Sequence, residues 1–161
     1  MVKFYQVVTE GLALYAAQLG WFHATPKSSD DLKQSGNTKK LSRAERITAR
    51  GGTPLMPPIG EESYLLNYWF DLGMVGSGGM GAAQLSALEI NAWSDLSGVQ
   101  LEPWEFACIR KMSAAYLRNL NEGENPESLP PYGDPANEFD RTAVQKKVVN
   151  AFKAFLQAKT R

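Results

Sequence analysis

The chain has 161 residues, 43% of them apolar and 21% charged, which suits one domain with a buried core. Seventeen basic and seventeen acidic residues leave no formal net charge, which argues against a dedicated nucleic-acid binder. The single cysteine, Cys108, can form no disulfide within the chain, so a reducing compartment is expected, and no run of about 18 apolar residues signals a membrane span.

The first segment, 1–24, reads as a helix. Phe4, Val7, Val8, Leu12, Tyr15 and Leu19 recur at steps of three and four along one face, and Gly20 is the expected terminator. Lys3, Gln6, Glu10 and Gln18 interrupt its apolar character, so it does not read as a signal peptide. Residues 25–40 turn polar and basic, with too little apolar surface to fold alone, and are expected to form a mobile linker. Residues 41–121 make the expected helical core. Within it Ser42 and Glu45 have the spacing of a capping box, and the short helix they open ends at Gly51 and Gly52. Pro54, Pro57 and Pro58 then mark a stiff extended connector.

A helix over 61–72, closed by Gly73, holds Tyr64, Leu65, Leu66, Tyr68, Trp69 and Phe70. Consecutive aromatics cannot share one helical face, so this helix is either central in the core or apolar on a second, partner-facing side. The glycine-rich stretch 73–81, GMVGSGGMG, lacks the Lys and Ser/Thr of a phosphate-binding loop, and it follows a helix rather than the strand a dinucleotide fingerprint needs. It reads as a flexible surface loop, with ordering on a partner as the functional alternative. Residues 85–96 form the next helix, opened by the capping box of Ser86 and Glu89 and closed by Gly98. Leu88, Ala92 and Leu96 make its apolar stripe, with Trp93 beside it. Pro103 suits a first helical position. The long helix that follows, to about residue 120, is expected to bury some of Trp104, Ala107, Cys108, Met112, Ala115, Tyr116 and Leu120. Residues 122–134 are an acidic loop. A last helix, 135–161, carries Phe139, Val148, Phe152 and Phe155 on its apolar side, and after Asp140 it has only basic charges. No strand-hairpin signal appears anywhere in the sequence, and the fold class expected is all-α, with five to six helices.

Catalytic chemistry finds little footing. His23 is the one histidine and lacks the sequence context of a triad. Cys108 lies among Phe106, Ala107 and Ile109, the setting of a buried structural thiol. One His and one Cys cannot build a Cys/His zinc site. A two-carboxylate hydrolase needs two acids across a cleft, one of them in an apolar setting, and nothing in the sequence selects Glu61/Glu62 or Glu102/Glu105 as such a pair; Glu61 and Glu62 suit a helix start. No cofactor or metal is expected. The aromatics are the positive signal: Tyr68, Trp69, Trp93, Trp104 and Tyr116 are either core residues or the anchors of a partner-binding surface, and different members can serve each role.

The central region resembles phage tail assembly chaperones of the siphovirus type. The resemblance rests on Tyr64-Leu65-Leu66, Trp69-Phe70 and Leu72-Gly73. It continues in Leu85-Ser86-Ala87-Leu88-Glu89-Ile90 with Ala92-Trp93, then Gly98, Leu101, Trp104-Glu105, Ile109, Met112-Ser113 and Ala115-Tyr116, over about 57–120. It implies a non-enzymatic protein that binds the aggregation-prone tape measure protein and recruits tail tube subunits. Such a protein works in the host cytoplasm and is absent from the mature virion. The family often makes short and frameshift-extended forms, and it has no shared catalytic residues. Neither nucleic acid nor membrane is an expected partner, and homo-oligomerisation stays open. The acidic loop and basic last helix are expected to steer association. The competing readings are a small structural head–tail or tail protein of the virion and a phage-encoded binder of a host protein.

Overall fold

The computed structural model describes residues 2–27, 40–79 and 81–133. They form five α-helices: α1 (Val2–His23), α2 (Arg43–Ala49), α3 (Tyr64–Asp71), α4 (Ala87–Ser97) and α5 (Pro103–Glu122). A 3-10 turn, Glu61–Ser63, leads into α3, and a small hairpin of β1 (Gly76–Gly78) and β2 (Gly81–Ala83) separates α3 from α4. The expected last helix, the Asp134 that would open it and most of the expected linker lie outside the described residues.

Helix α5 is the axis of the fold. Its 20 residues span about 30 Å. Its Cys108, Ile109, Met112 and Tyr116 meet Leu12 and Ala16 of α1, Leu65, Leu66 and Trp69 of α3, Ile90 of α4, and Leu85 just before α4. Of the candidates on α5, Cys108, Met112, Ala115 and Tyr116 are buried and Ala107 is exposed. Helix α1 packs along α5 more extensively than any other element. It runs on to His23 through Gly20, so the expected terminator is corrected: a Cβ at Gly20 would stand 2.3 Å from the backbone oxygen of Tyr116. Glycine is there to let two helix backbones touch. Ala13, Ala17 and Ala115 form a second small-residue contact nearby.

The helix ends follow local chemistry. In both predicted capping boxes, at Ser42/Glu45 and Ser86/Glu89, hydroxyl and carboxylate each satisfy a backbone N–H. Gly98 adopts φ 72° to close α4. A third device was not foreseen: the Glu105 carboxylate accepts from the backbone N–H of Glu102, 2.8 Å away, at the start of α5.

The hairpin corrects the all-α expectation to a mainly helical one. Gly76 pairs with Ala83, Ser77 with Ala82 and Gly78 with Gly81. These strands have no β-branched or aromatic alternation to announce them. Their small size is what α4 requires, because a Cβ on Gly76 would lie 2.6 Å from the Glu89 carboxylate. The same carboxylate accepts from the Ser77 backbone N–H at 3.3 Å, tying hairpin to helix.

Polar anchors secure the periphery. Gln18, fully buried, donates from Nε2 to the Leu55 carbonyl (3.1 Å) and accepts at Oε1 from the Tyr132 N–H (3.0 Å). One amide thus holds both the proline-rich connector and the end of the loop after α5. Helix α2 buries no side chain of its own and is pegged by Arg43. That guanidinium lies 4.2 Å from the centre of the Trp21 ring and donates to the carbonyls of Gly123 (2.9 Å) and Asn125 (2.6 Å). Lys27 and Glu124 form an ion pair, so part of the basic and acidic blocks is spent on each other.

Candidate partner-binding surface

The five aromatic candidates divide by burial. Trp69, on the inward face of α3, is fully buried. Its Nε1 donates to the Met74 carbonyl at 2.8 Å, which braces a residue held at φ 66° just after the helix. Its ring meets Tyr116 edge-on at 5.7 Å. Tyr116 is buried too, and its hydroxyl lies 2.8 Å from Nδ1 of His23. Burial raises the tyrosine's titration and lowers the histidine's, so at neutral pH this is a hydrogen bond between two uncharged groups. Trp69 and Tyr116 thus hold the core together in this structure.

Tyr68, Trp93 and Trp104 are half-buried and reach the surface. Tyr68 and Trp93 join α3 to α4, their ring centres 5.2 Å apart, and the Trp93 indole donates to Asp71 Oδ2 at 2.6 Å. On its other side Tyr68 meets Tyr64 at 5.5 Å. Trp104, at the start of α5, stacks on Tyr5 of α1 at 4.6 Å and 28°. The polar tips of Tyr64 and Trp93 are satisfied while ring area stays open, as suits an amphipathic contact surface.

Helix α4 supplies the largest apolar exposure. The predicted stripe Leu88–Ala92–Leu96 faces outward: Leu88 is 81% and Leu96 90% exposed, and Ala92 is exposed as well. Ile90 is the residue of α4 that enters the core. Phe70, on the outer side of α3, is also exposed, so that helix has one face in the core and another apolar face outside it. Periodicity groups Leu88, Ala92 and Leu96 on one face of α4, but it carries no information on which side meets the protein body.

The titratable groups serve the fold. Burial pushes the Cys108 thiol up to about 11, leaving it protonated and inert at neutral pH. Glu105, the buried carboxylate of α5, accepts from the Tyr64 hydroxyl at 2.5 Å as well as from the Glu102 N–H. Tyr64 in turn is raised, by desolvation first and then by that carboxylate. Glu105 thereby fastens α3 to α5. Among the described residues no group of three or more His, Cys, Asp or Glu could hold a metal ion, and no helix is long and apolar enough to cross a membrane.

A surface of open rings and leucines fits the binding of another polypeptide. The family comparison agrees with that geometry. Residues 45–118 match the family model of the phage tail assembly chaperone. The chaperone match begins inside α2, takes in α3, the hairpin and α4, and ends inside α5, so it contains all five aromatic candidates and the outward stripe. It also takes in 45–56, ahead of the span 57–120 on which the resemblance rests. Helix α1 lies outside it. No curated protein and no solved structure gives a significant match.

Proposed function

We propose that this protein is a tail assembly chaperone that binds the phage tape measure protein and helps recruit tail tube subunits while the tail is built in the host cytoplasm. It would then be left out of the finished virion. The observation that carries this reading is the leucine stripe on α4, which lies within the family match and has no cover among the described residues. A long helical client offers apolar side chains at the same helical spacing, so one turn after another can pack against Leu88, Ala92 and Leu96, with Trp93 and Tyr68 beside them. Each leucine buried by a client contributes about 1.5–3 kcal/mol. A chaperone needs such a surface to be exposed before the client arrives, and a solvent-facing stripe on a well-anchored helix meets that need.

The test is affinity for the tape measure protein of the same phage. The double substitution Leu88→Glu/Leu96→Glu is expected to weaken binding by at least about tenfold, since two desolvated contacts are lost. Its far-UV circular dichroism should match the parent, because both side chains are already in water. Unchanged affinity would remove α4 from the binding surface. Finding the protein by mass spectrometry in purified particles would favour a structural virion protein instead.

A further inference from the structure

A cleft of about 370 Å³ lies between α2 and the loop after α5. Helix α2 and its C-terminal cap line one wall with Arg43, Arg46, Ile47 and Arg50, whose steps of three, one and three place them on one helical face. Loop residues 126–130 make the opposite wall, and Trp21 of α1, only 5% exposed, lies deep between them. The indole is held from two sides. Its Nε1 donates to the Ser128 carbonyl at 3.3 Å, and the Arg43 guanidinium lies over its ring. The back of the cleft is therefore in place before any ligand arrives.

The charges of this cleft are lopsided. Three guanidiniums line it against one carboxylate, Glu127. Arg46 donates to the carbonyls of Leu41 (3.1 Å) and Pro26 (3.3 Å), neutral acceptors that hold the cation without cancelling its charge. Arg50 is exposed at the mouth. Apolar groups stand among the cations: Ile47, Pro126 and Leu129, the last 76% exposed. A matching ligand carries both carboxylates and an apolar group. A nucleic-acid backbone would bring dense charge against Glu127 and leave Leu129 unused, and the chain has no net positive charge to attract it. Carboxylates suit guanidiniums, which grip them through paired N–H donors. The volume is at the small end of ligand pockets, enough for a few side chains and too small for a helix.

We propose that this cleft binds a short, extended, acidic segment of a partner polypeptide, with an apolar side chain seated against Trp21 and Ile47 and flanking carboxylates paired with Arg46 and Arg50. No residue of α4 lines it, so this docking site is separate from the leucine stripe and does not rest on the tape measure reading.

NMR titration of the full chain with the end-blocked peptide EDLFED tests this. The Trp21 indole N–H should shift while that of Trp93, beside the α4 stripe, stays still. The amide analogue QNLFQN should bind about tenfold more weakly, because its charge-assisted hydrogen bonds are lost. EDSSED, which keeps the charges and lacks the apolar pair, should also be weaker. Arg50→Gln should weaken EDLFED about fivefold, and Glu127→Gln should tighten it about twofold. Both side chains are exposed, so neither change should alter the fold. A Trp21 signal unmoved by millimolar peptide would overturn the proposal, as would equal affinity for either control peptide or no effect of the two substitutions. An equal shift from inorganic phosphate would mean a simple anion site and overturn it too. So would a Trp21 signal in the peptide-free protein that moves with protein concentration or with Asp30→Asn/Asp31→Asn, since a second copy or the chain itself would then fill the cleft.

Discussion

Helices α1 and α4 carry the same pattern with opposite outcomes. In α1, Val8, Leu12, Ala16 and Gly20 fall four apart; in α4, Leu88, Ala92 and Leu96 do. The last three members of the α1 series shrink along the helix, from leucine through alanine to glycine. Its later members can therefore press against α5 until backbones meet at Tyr116. The α4 series ends on a full-sized leucine in water, and that helix is held by Ile90 and by its capped start. Identical spacing therefore marks an internal seam in one helix and an open face in the other. The size gradient, more than the period, separates them.

That contrast can be broken from either side. The largest effect is expected for Ile90→Ala, which removes the core contact of α4 and should cost about 2–5 kcal/mol in chemical denaturation. Leu96→Ala on the same helix should stay within about 0.5 kcal/mol. Equal losses at the two positions would mean that the outward stripe is covered. Next comes Gly20→Ala, where a methyl group would overlap the Tyr116 carbonyl. Despite alanine's better helix propensity, a net loss of about 1–3 kcal/mol is expected. A stabilised Gly20→Ala would show that the two helices are not in backbone contact.

The smallest effect concerns acid. Glu89 sits below its ordinary value of 4.5, chiefly through the Ser86 backbone N–H, then the Ser86 hydroxyl, then the Ser77 N–H. The folded state therefore keeps this carboxylate ionised at pH values where the unfolded chain already binds a proton. Its contribution is complete above the ordinary glutamate range and is lost as pH falls through the lowered folded value. Amide exchange at the start of α4 and in the hairpin should accelerate there, and Glu89→Gln should flatten that response.

What was legible in advance was local. The boxes at Ser42/Glu45 and Ser86/Glu89, the left-handed Gly98 and the placement of Pro103 depend on residues within one turn of each other. What was missed depends on residues distant in sequence. Nothing near Gln18 announces that it will bridge Leu55 and Tyr132, and nothing near Arg43 announces Trp21. The hairpin escaped because its residues are small for the sake of Glu89, not patterned for a sheet. The same limit applies to the aromatic candidates. Trp69 and Trp93 are the same residue type on neighbouring helices, and only the approach of α5 decides that one is enclosed while the other keeps an open ring edge.

The pairing of the first helix with the fifth sets a schedule for synthesis. A ribosome adding about 5–20 residues per second needs roughly 5 to 20 seconds to travel from the end of α1 to the end of α5. Until it is over, Leu12 and Ala16 lack the α5 residues Cys108, Ile109, Met112 and Tyr116 that they meet in the folded core. A protein proposed to shelter another chain's greasy helices must first pass through a stage in which its own leading helix lacks shelter.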